Sequence, residues 1–303
     1  MRKIIITTTS FSQYKEVKNL FKRKDFKVVL NYLGRKLKKE EILEICKGAI
    51  GIIAGTESLD KDILNKLSPS LKVISRCGAG LDNIDIKAAQ NLGIKIYNTP
   101  DALTLAVAEL TIGLMINLLR KVRLMDGEVR AGEWKKEMGN LLSRKYIGII
   151  GFGRIGRKTT ELLHPFECEI KYTDPLLGDG ISGFEKVPLE NLLSWADIVS
   201  IHASCVNEII GKKEIGLMKK GSYLLNLSRG KAVNQQALYQ ALKSNYLAGA
   251  ALDVFDQEPY KGPLRELNNV ILTPHVGSYA IEARSKMELE AAKNLIKGLE
   301  EEK

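Results

Sequence analysis

Three short segments in the second half of the chain set ionisable side chains directly after apolar, β-rich runs. Leu225-Asn226-Leu227-Ser228-Arg229-Gly230 carries an arginine. Asp253-Val254-Phe255-Asp256-Gln257-Glu258-Pro259 carries acids, and Leu272-Thr273-Pro274-His275-Val276-Gly277-Ser278 carries a histidine. An open α/β sheet binds its ligands where its strands end, which is where these residues stand. The guanidinium of Arg229 can grip carboxylate and keto oxygens together. An imidazolium at His275 can protonate an oxygen while hydride arrives at the carbon, and a carboxylate at Glu258 against the far ring nitrogen would fix its tautomer. Singly, each residue has an ordinary explanation: a helix-start arginine, a turn acid before proline, a packing histidine. Jointly they suit interconversion of a 2-hydroxy acid and its 2-keto acid.

Hydride chemistry needs a carrier, and Gly151-Phe152-Gly153-Arg154-Ile155-Gly156 supplies the place for one. The apolar strand Tyr146–Ile150 runs into this G-x-G-x-x-G motif and a helical segment Lys158–Leu163 leaves it. Asp174 follows 18 residues after the last glycine, near the spacing of about 20 expected of a dinucleotide fold. The first glycine allows the tight turn, the second lets the backbone approach a pyrophosphate, and the third lets helix and strand pack closely. Helix N-terminal amides then hold the anion; Arg154 in the loop either contacts the pyrophosphate or is a solvated side chain. An acid at Asp174 accepts from ribose hydroxyls and repels a 2′-phosphate, so the expected cofactor is NAD and not NADP.

Positioning these groups requires two sheets. From residue 1 to about 100, strands at Lys3–Thr7, Lys27–Leu30, Ile50–Ala54, Val73–Arg76 and Lys95–Tyr97 alternate with helices around Tyr14–Arg23, Lys39–Lys47, Lys61–Leu67 and Ile86–Leu92. Asn98-Thr99-Pro100 breaks the pattern. A long helix, Leu105 to Arg123, and a polar, turn-rich stretch, Gly127 to Asn140, precede a second alternating unit. Its strands are Tyr146–Ile150, Ile170–Thr173, Ile198–His202, Tyr223–Leu227, Gly249–Val254 and Val270–Leu272, a six-strand doubly wound sheet. The last helix, Ala280–Leu299, follows the completed second sheet and is free to return to the first. The expected fold class is α/β: two doubly wound parallel-sheet domains, a flavodoxin-like substrate domain (1–100 plus 280–303) and a Rossmann NAD-binding domain (101–279).

Composition bounds the rest. With 303 residues, 45% of them hydrophobic and 27% charged, the chain is long enough for two cores. Met1-Arg2-Lys3 leads into too short an apolar run for a secretory signal, and the longest apolar stretch, Leu103 to Leu119, is interrupted by Glu109 and Asn117; no membrane segment is expected. Cys46, Cys77, Cys168 and Cys205 are scattered without C-x-x-C pairing, as for reduced thiols in a cytoplasmic protein, and no metal site is expected. The net charge of +10 and the run Arg35-Lys36-Leu37-Lys38-Lys39 come without a nucleic-acid motif, and interspersed acids make that run a solvated helix face. A basic surface attracts small anions instead.

Taken in order, the glycine loop and the arginine, glutamate and histidine segments resemble the D-isomer-specific 2-hydroxyacid dehydrogenases, the family of phosphoglycerate, D-lactate and glycerate dehydrogenases, over nearly the whole chain. The resemblance implies catalytic roles for Arg229, Glu258 and His275, and an Asp253 that orients the nicotinamide carboxamide. It implies cofactor contacts at Gly151, Gly153, Arg154, Ile155, Gly156, Asp174, Leu227, Ser228, Asp253 and Gly277. Arg76-Cys77-Gly78-Ala79-Gly80-Leu81-Asp82-Asn83 resembles the loop whose amides hold the substrate carboxylate, giving Gly78, Ala79, Gly80 and Arg229 as substrate-binding residues. The helix after Pro100 resembles one used for dimerisation, so a homodimer through the NAD-binding domain is expected.

The likeness has gaps. His202-Ala203-Ser204-Cys205-Val206 stands where the family reads H-x-P-L-T, and His202 at the end of a buried strand reads as structural. His164, before Pro165, is a weaker candidate still. The phosphate-binding arginine of phosphoglycerate-type enzymes has no counterpart in Ala54-Gly55-Thr56-Glu57, so a phosphate there would meet Glu57; Lys135 and Lys136 are the cations that could compensate. The chain ending at Lys303 leads to the expectation of no C-terminal regulatory domain. Glu258 stands where formate dehydrogenases have glutamine. The rival from another class is an NAD-sensing scaffold of the C-terminal binding protein type, which shares the fold and the triad.

Overall fold

The computed structural model describes every residue except 1, 9, 10, 12–14, 23–25, 179, 180, 182, 205, 206, 302 and 303. Cys205 and Val206, and the expected helix ends at Tyr14 and Arg23, lie outside the described residues. The chain divides into two compact units, Met1–Leu103 with Tyr279–Lys303, and Thr104–Ser278.

In the first unit, β1 (Arg2–Ile6), β2 (Phe26–Leu30), β3 (Gly51–Ala54), β4 (Val73–Arg76) and β5 (Lys95–Tyr97) form a parallel sheet in the order β2-β1-β3-β4-β5. This is the flavodoxin-like order. Ile4, Ile5, Ile6, Ile52, Ile53 and Ile74 are fully buried, as strands covered on both faces require. The connecting helices are α1 (Lys15–Lys22), α2 (Lys39–Ile45), α3 (Lys61–Leu67) and α4 (Ile86–Asn91). Asp60 and Asp85 start the last two by accepting from the Ile63 and Ala88 amides at 2.8 and 2.9 Å. The chain's final helix, α11 (Ile281–Glu300), packs on this sheet through Ala291, Leu295 and Leu299. Close approach demands small residues there: a Cβ at Gly51 would stand 2.9 Å from Leu295, and one at Gly298 would stand 2.7 Å from the Tyr97 ring.

The second unit opens with α5 (Thr104–Arg120) and α6 (Val122–Arg130). One helix to Arg123 was the expectation; the structure breaks it at Lys121, whose φ of 52° is left-handed. Asn117 Oδ1 accepts the Arg123 N–H at 3.0 Å and Lys121 Nζ meets Glu137 at 2.8 Å, so local polar groups satisfy the break. The expected turn-rich stretch from Gly127 is therefore helical as far as Arg130.

The sheet of this unit comprises β6 (Tyr146–Ile150), β7 (Glu169–Thr173), β8 (Glu185–Lys186), β9 (Ile198–Ile201), β10 (Tyr223–Asn226), β11 (Gly249–Leu252) and β12 (Val270–Leu272). All pairings are parallel, in the order β12-β11-β10-β9-β6-β7-β8, the Rossmann arrangement with a seventh strand. Six strands were expected. β8 is two exposed residues held against Lys171 by a 3.0 Å Lys171–Glu185 ion pair, so it carries no apolar run. The helices are α7 (Arg154–Leu163), α8 (Leu189–Trp195), α9 (Lys212–Leu217) and α10 (Gln235–Lys243). Among the described residues no helix is long and apolar enough to cross a membrane. Cys46, Cys77 and Cys168 are free thiols; burial pushes Cys46 and Cys77 up to about 12, which makes them inert.

Candidate active site

The glycine loop lies at the switch point of the second sheet, between β6 and β9, where strand order reverses. Gly151 leaves β6 with φ 89°, and a Cβ on it would stand 2.5 Å from the Ala203 backbone beyond β9. Gly156 meets Gly151 O equally closely, at 2.3 Å from its would-be Cβ, so α7 packs tightly on the strand end. Gly153 caps α7, and a Cβ there would meet nothing within 4 Å. The loop is thus closed where chain meets chain and open where a pyrophosphate would rest, which is what a dinucleotide requires. α7 begins at Arg154, inside the motif and four residues before the expected start, so Arg154, Ile155 and Gly156 form the amide-bearing first turn.

Asp174 follows β7. Its Oδ2 accepts the Phe152 N–H of the glycine loop at 2.8 Å and its Oδ1 the Leu176 N–H at 2.9 Å. These bonds lock the carboxylate beside the loop, and each oxygen keeps a lone pair for a ribose hydroxyl. The side chains of Leu227 and Ser228 turn inward: both residues are buried, and the Ser228 hydroxyl donates to Asn226 Oδ1 at 2.7 Å.

Arg229 owes its position to Asn226, the buried last residue of β10. Asn226 Oδ1 also accepts the Ser228 N–H at 3.1 Å, and Nδ2 donates to Arg229 O at 2.8 Å, fixing the turn. Gly230 then passes so near the next loop that a Cβ would lie 2.0 Å from the Phe255 carbonyl carbon. The segments after β10 and β11 are held together by this contact. The Phe255 and Tyr260 rings stack at 4.5 Å beneath it.

Glu258 and His275 meet directly. Nδ1 of His275 lies 3.0 Å from Glu258 Oε2, while Glu258 Oε1 accepts the Phe255 N–H at 3.1 Å. Both side chains remain about half exposed, at 50% and 40%. The Glu258 hydrogen bond raises the His275 pKa above its ordinary value against the opposing effect of burial; the charges of Glu258 and Asp253 add to the rise and Arg229 opposes it. His275 itself is left-handed, with φ 56°. Asp253, buried at the end of β11, anchors that turn: its carboxylate accepts from Thr273 Oγ1 at 2.6 Å and from the Val276 and Gly277 amides at 2.8 Å each.

His202 sits apart from this chemistry. It is buried, its Nε2 is 2.9 Å from Ser200 Oγ, its Nδ1 has no hydrogen-bond partner among the described residues, and burial lowers its pKa to about 4. His164 is exposed in a short 3₁₀ turn after α7.

In the first unit the loop after β4 is tied down at Gly78, whose N–H donates to Thr99 Oγ1 at 2.8 Å and whose carbonyl accepts the Thr99 N–H at 3.0 Å. Asn98 Nδ2 donates to Ala79 O at 2.7 Å. The Arg76 guanidinium lies against this turn and donates to Cys77 O; a Cβ on Gly78, where φ is 148°, would stand 2.7 Å from Arg76 Nη1.

Residues 112–277, more than half of the chain, match the family model for the D-isomer specific 2-hydroxyacid dehydrogenase NAD binding domain. The chain belongs to this family. It is an NAD-dependent D-2-hydroxyacid dehydrogenase, an oxidoreductase whose glycine loop fits the cofactor that the family binds. A glyoxylate reductase of Thermofilum pendens is 41% identical over 256 residues, 80% of this chain and 75% of that one. A D-3-phosphoglycerate dehydrogenase of Methanocaldococcus jannaschii is 39% identical over 259 residues, 82% of this chain and 49% of its relative. Among solved structures, a glyoxylate reductase from Paecilomyes thermophila is similar with a TM-score of 0.86 and 30% identity, covering 100% of this chain and 96% of that one.

Three positions that support the site lay outside the sequence expectations. Asn226 had a usable signal, a polar residue inside a buried strand. Gly230 and Thr273 had none, because the contacts that need them join segments distant in sequence.

Proposed function

We propose that this dehydrogenase interconverts a small D-2-hydroxy acid and its 2-keto acid, with Arg229 holding the substrate oxygens, His275 moving the proton and Glu258 orienting His275. The observation that carries this reading is the 3.0 Å Glu258–His275 pair on a turn pinned by Asp253. Bound NAD supplies the hydride acceptor, or NADH the donor, at the substrate C2. Gly151, Gly153, Gly156, Arg154 and Ile155 would hold its pyrophosphate, Asp174 its ribose, and the segments at Leu227, Ser228, Asp253 and Gly277 its nicotinamide end through backbone groups. With Nδ1 committed to Glu258, Nε2 of His275 is the nitrogen that gives a proton to the keto oxygen or takes it from the hydroxyl. The guanidinium of Arg229 neutralises negative charge growing on that oxygen. Gly78 anchors the loop after β4 through Thr99, and the amides of Ala79 and Gly80 serve the substrate carboxylate. The names of the relatives, glyoxylate reductase and D-3-phosphoglycerate dehydrogenase, bring a small 2-keto acid to this chain as the substrate class.

A homodimer through the second unit belongs to the same reading. Trp134 and Met138 are 82% and 90% exposed, and Val129 and Leu141 are exposed beside them in sequence, apolar surface that a second copy would cover. Sedimentation of the wild type against Trp134→Ser tests it; a monomeric wild type ends the proposal.

The central test is His275→Ala. Turnover of any keto acid with NADH is expected to vanish while NADH binding, read by fluorescence titration, stays near that of the wild type. A kcat of the wild type that is flat from about pH 5 to 9 would overturn the assignment of His275 as acid and base. Tight NADH binding with no keto-acid-dependent oxidation would instead favour the NAD-sensing scaffold.

A further inference from the structure

The two sheets treat their switch points differently. In the second unit the β6/β9 point is an open glycine loop, with empty space beside Gly153. In the first unit the equivalent point, between β1 and β3, is filled by the chain itself. Glu57, three residues beyond the β3 end at Ala54, folds back and is 1% exposed. Its Oε1 accepts the Gly55 N–H at 2.9 Å and the Thr7 hydroxyl at the end of β1, and its Oε2 would stand 2.8 Å from a Cβ on Gly55. Backbone N–H and hydroxyl donors at a strand end are the groups that would receive a ligand anion. Here an internal carboxylate has taken them.

The backbone of the segment that carries this carboxylate is tied to the loop assigned to the substrate. Asn83 Nδ2 donates to Glu57 O at 2.6 Å and to Gly55 O at 3.2 Å, and the Cys77 N–H donates to Ala54 O at 2.9 Å. Around that loop the charges suit a ligand with one anionic group. The Arg76 guanidinium beside Gly78 is the positive charge there, and it suits the substrate carboxylate. The segment Ala54-Gly55-Thr56-Glu57-Ser58 contributes only negative charge.

We propose that Glu57 is a specificity-determining residue that restricts this enzyme to 2-keto acids whose only anion is the C1 carboxylate, excluding those with a phosphate, phosphonate or second carboxylate on C3. The inference rests on the reading of the loop after β4 as the substrate carboxylate site. A fixed, buried like charge is poorly screened by salt and weighs most against a dianion. It also occupies the Gly55 N–H and the Thr7 hydroxyl, two donors that would otherwise be open to an incoming phosphate.

The test compares kcat/KM of NADH oxidation for glyoxylate and hydroxypyruvate with that for 3-phosphohydroxypyruvate, in the wild type and in Glu57→Gln. The wild type is expected to prefer the two acids without a second anion by about a hundredfold, and Glu57→Gln to narrow that ratio by about tenfold, the scale of a like charge within about 10 Å in a partly buried site. A wild type that uses the phosphorylated acid as well as hydroxypyruvate overturns the proposal, even should Glu57→Gln fail to fold. So does a folded Glu57→Gln with an unchanged ratio. Both failures leave the dehydrogenase reading standing, because turnover is then observed. No oxidation with any of the three acids would sink that reading, and the Glu57 proposal with it.

Discussion

Oε2 of Glu258 lies 3.0 Å from Nδ1 of His275, which leaves Nε2 as the ring nitrogen that would exchange a proton with the substrate in the proposed reaction. The same contact raises the His275 pKa. Keto-acid reduction needs the protonated ring, so its kcat is expected to fall as pH rises through the raised value, and hydroxy-acid oxidation to rise over the same range. Replacing Glu258 with Gln removes the charge and the strongest acceptor while burial still disfavours the imidazolium. Glu258→Gln should therefore move both limbs toward lower pH and lower kcat for reduction at neutral pH by about 10². A pH–rate midpoint that stays in place in the variant would refute the role given to Glu258.

Asp174 sits against the glycine loop through the Phe152 amide. On the proposed reading its negative charge would face the 2′-phosphate of NADP. Asp174→Ala is expected to raise KM for NADH by about tenfold, the scale of one or two lost hydrogen bonds to a charged acceptor, and to improve use of NADPH. Side-by-side kinetics with both cofactors give the ratio. An unchanged preference would show that Asp174 only fastens the loop.

How much of this was legible in sequence depended on the range of the interactions. The parallel strands were readable because each carries a short apolar run, fully buried in the central strands, and the strand ends differ from expectation only by a residue or two, where fraying is normal. Arg229, Glu258 and His275 drew notice because each lies in the loop after such a run, and the structure brings the last two into contact. β8 escaped because Glu185 and Lys186 are both exposed and pair only at the sheet edge. The break at Lys121 escaped because its compensating bonds come from Asn117 and Glu137, four residues before and sixteen after. Glu57 was visible as an acid where a phosphate would want a cation, but its capture of Thr7 and Gly55 depends on β1 and β3 being neighbours, which no local pattern records.

Gly230 ties the Arg229 turn to the Phe255 loop, and a Cβ there would lie 2.0 Å from the Phe255 carbonyl carbon and 2.2 Å from its oxygen. Backbone cannot rotate away as a side chain can. Gly230→Ala is expected to cost about 3 kcal/mol of stability and to lower kcat/KM by displacing Arg229 from Glu258 and His275. Thermal unfolding and steady-state kinetics measure the two effects. A variant with wild-type Tm and kcat would mean that the two loops are not held in contact.

His202 carries the opposite electrostatic sign to His275. Burial lowers its pKa from 6.5 to about 4, so the folded protein keeps it neutral while an unfolded chain protonates it. Its contribution is complete above about pH 6.5, declines as pH falls toward 4, and is lost below that; the total is about 3 kcal/mol. His275, with a raised pKa, adds stability as pH falls, so the two histidines partly cancel in the wild type. His202→Asn removes the acid-labile member. Its Tm should fall less between pH 7.5 and 5 than that of the wild type, by several degrees, whatever the substitution does to stability at neutral pH. Identical pH dependence of Tm in the two proteins, followed by calorimetry, would show that His202 accepts its proton without leaving the fold.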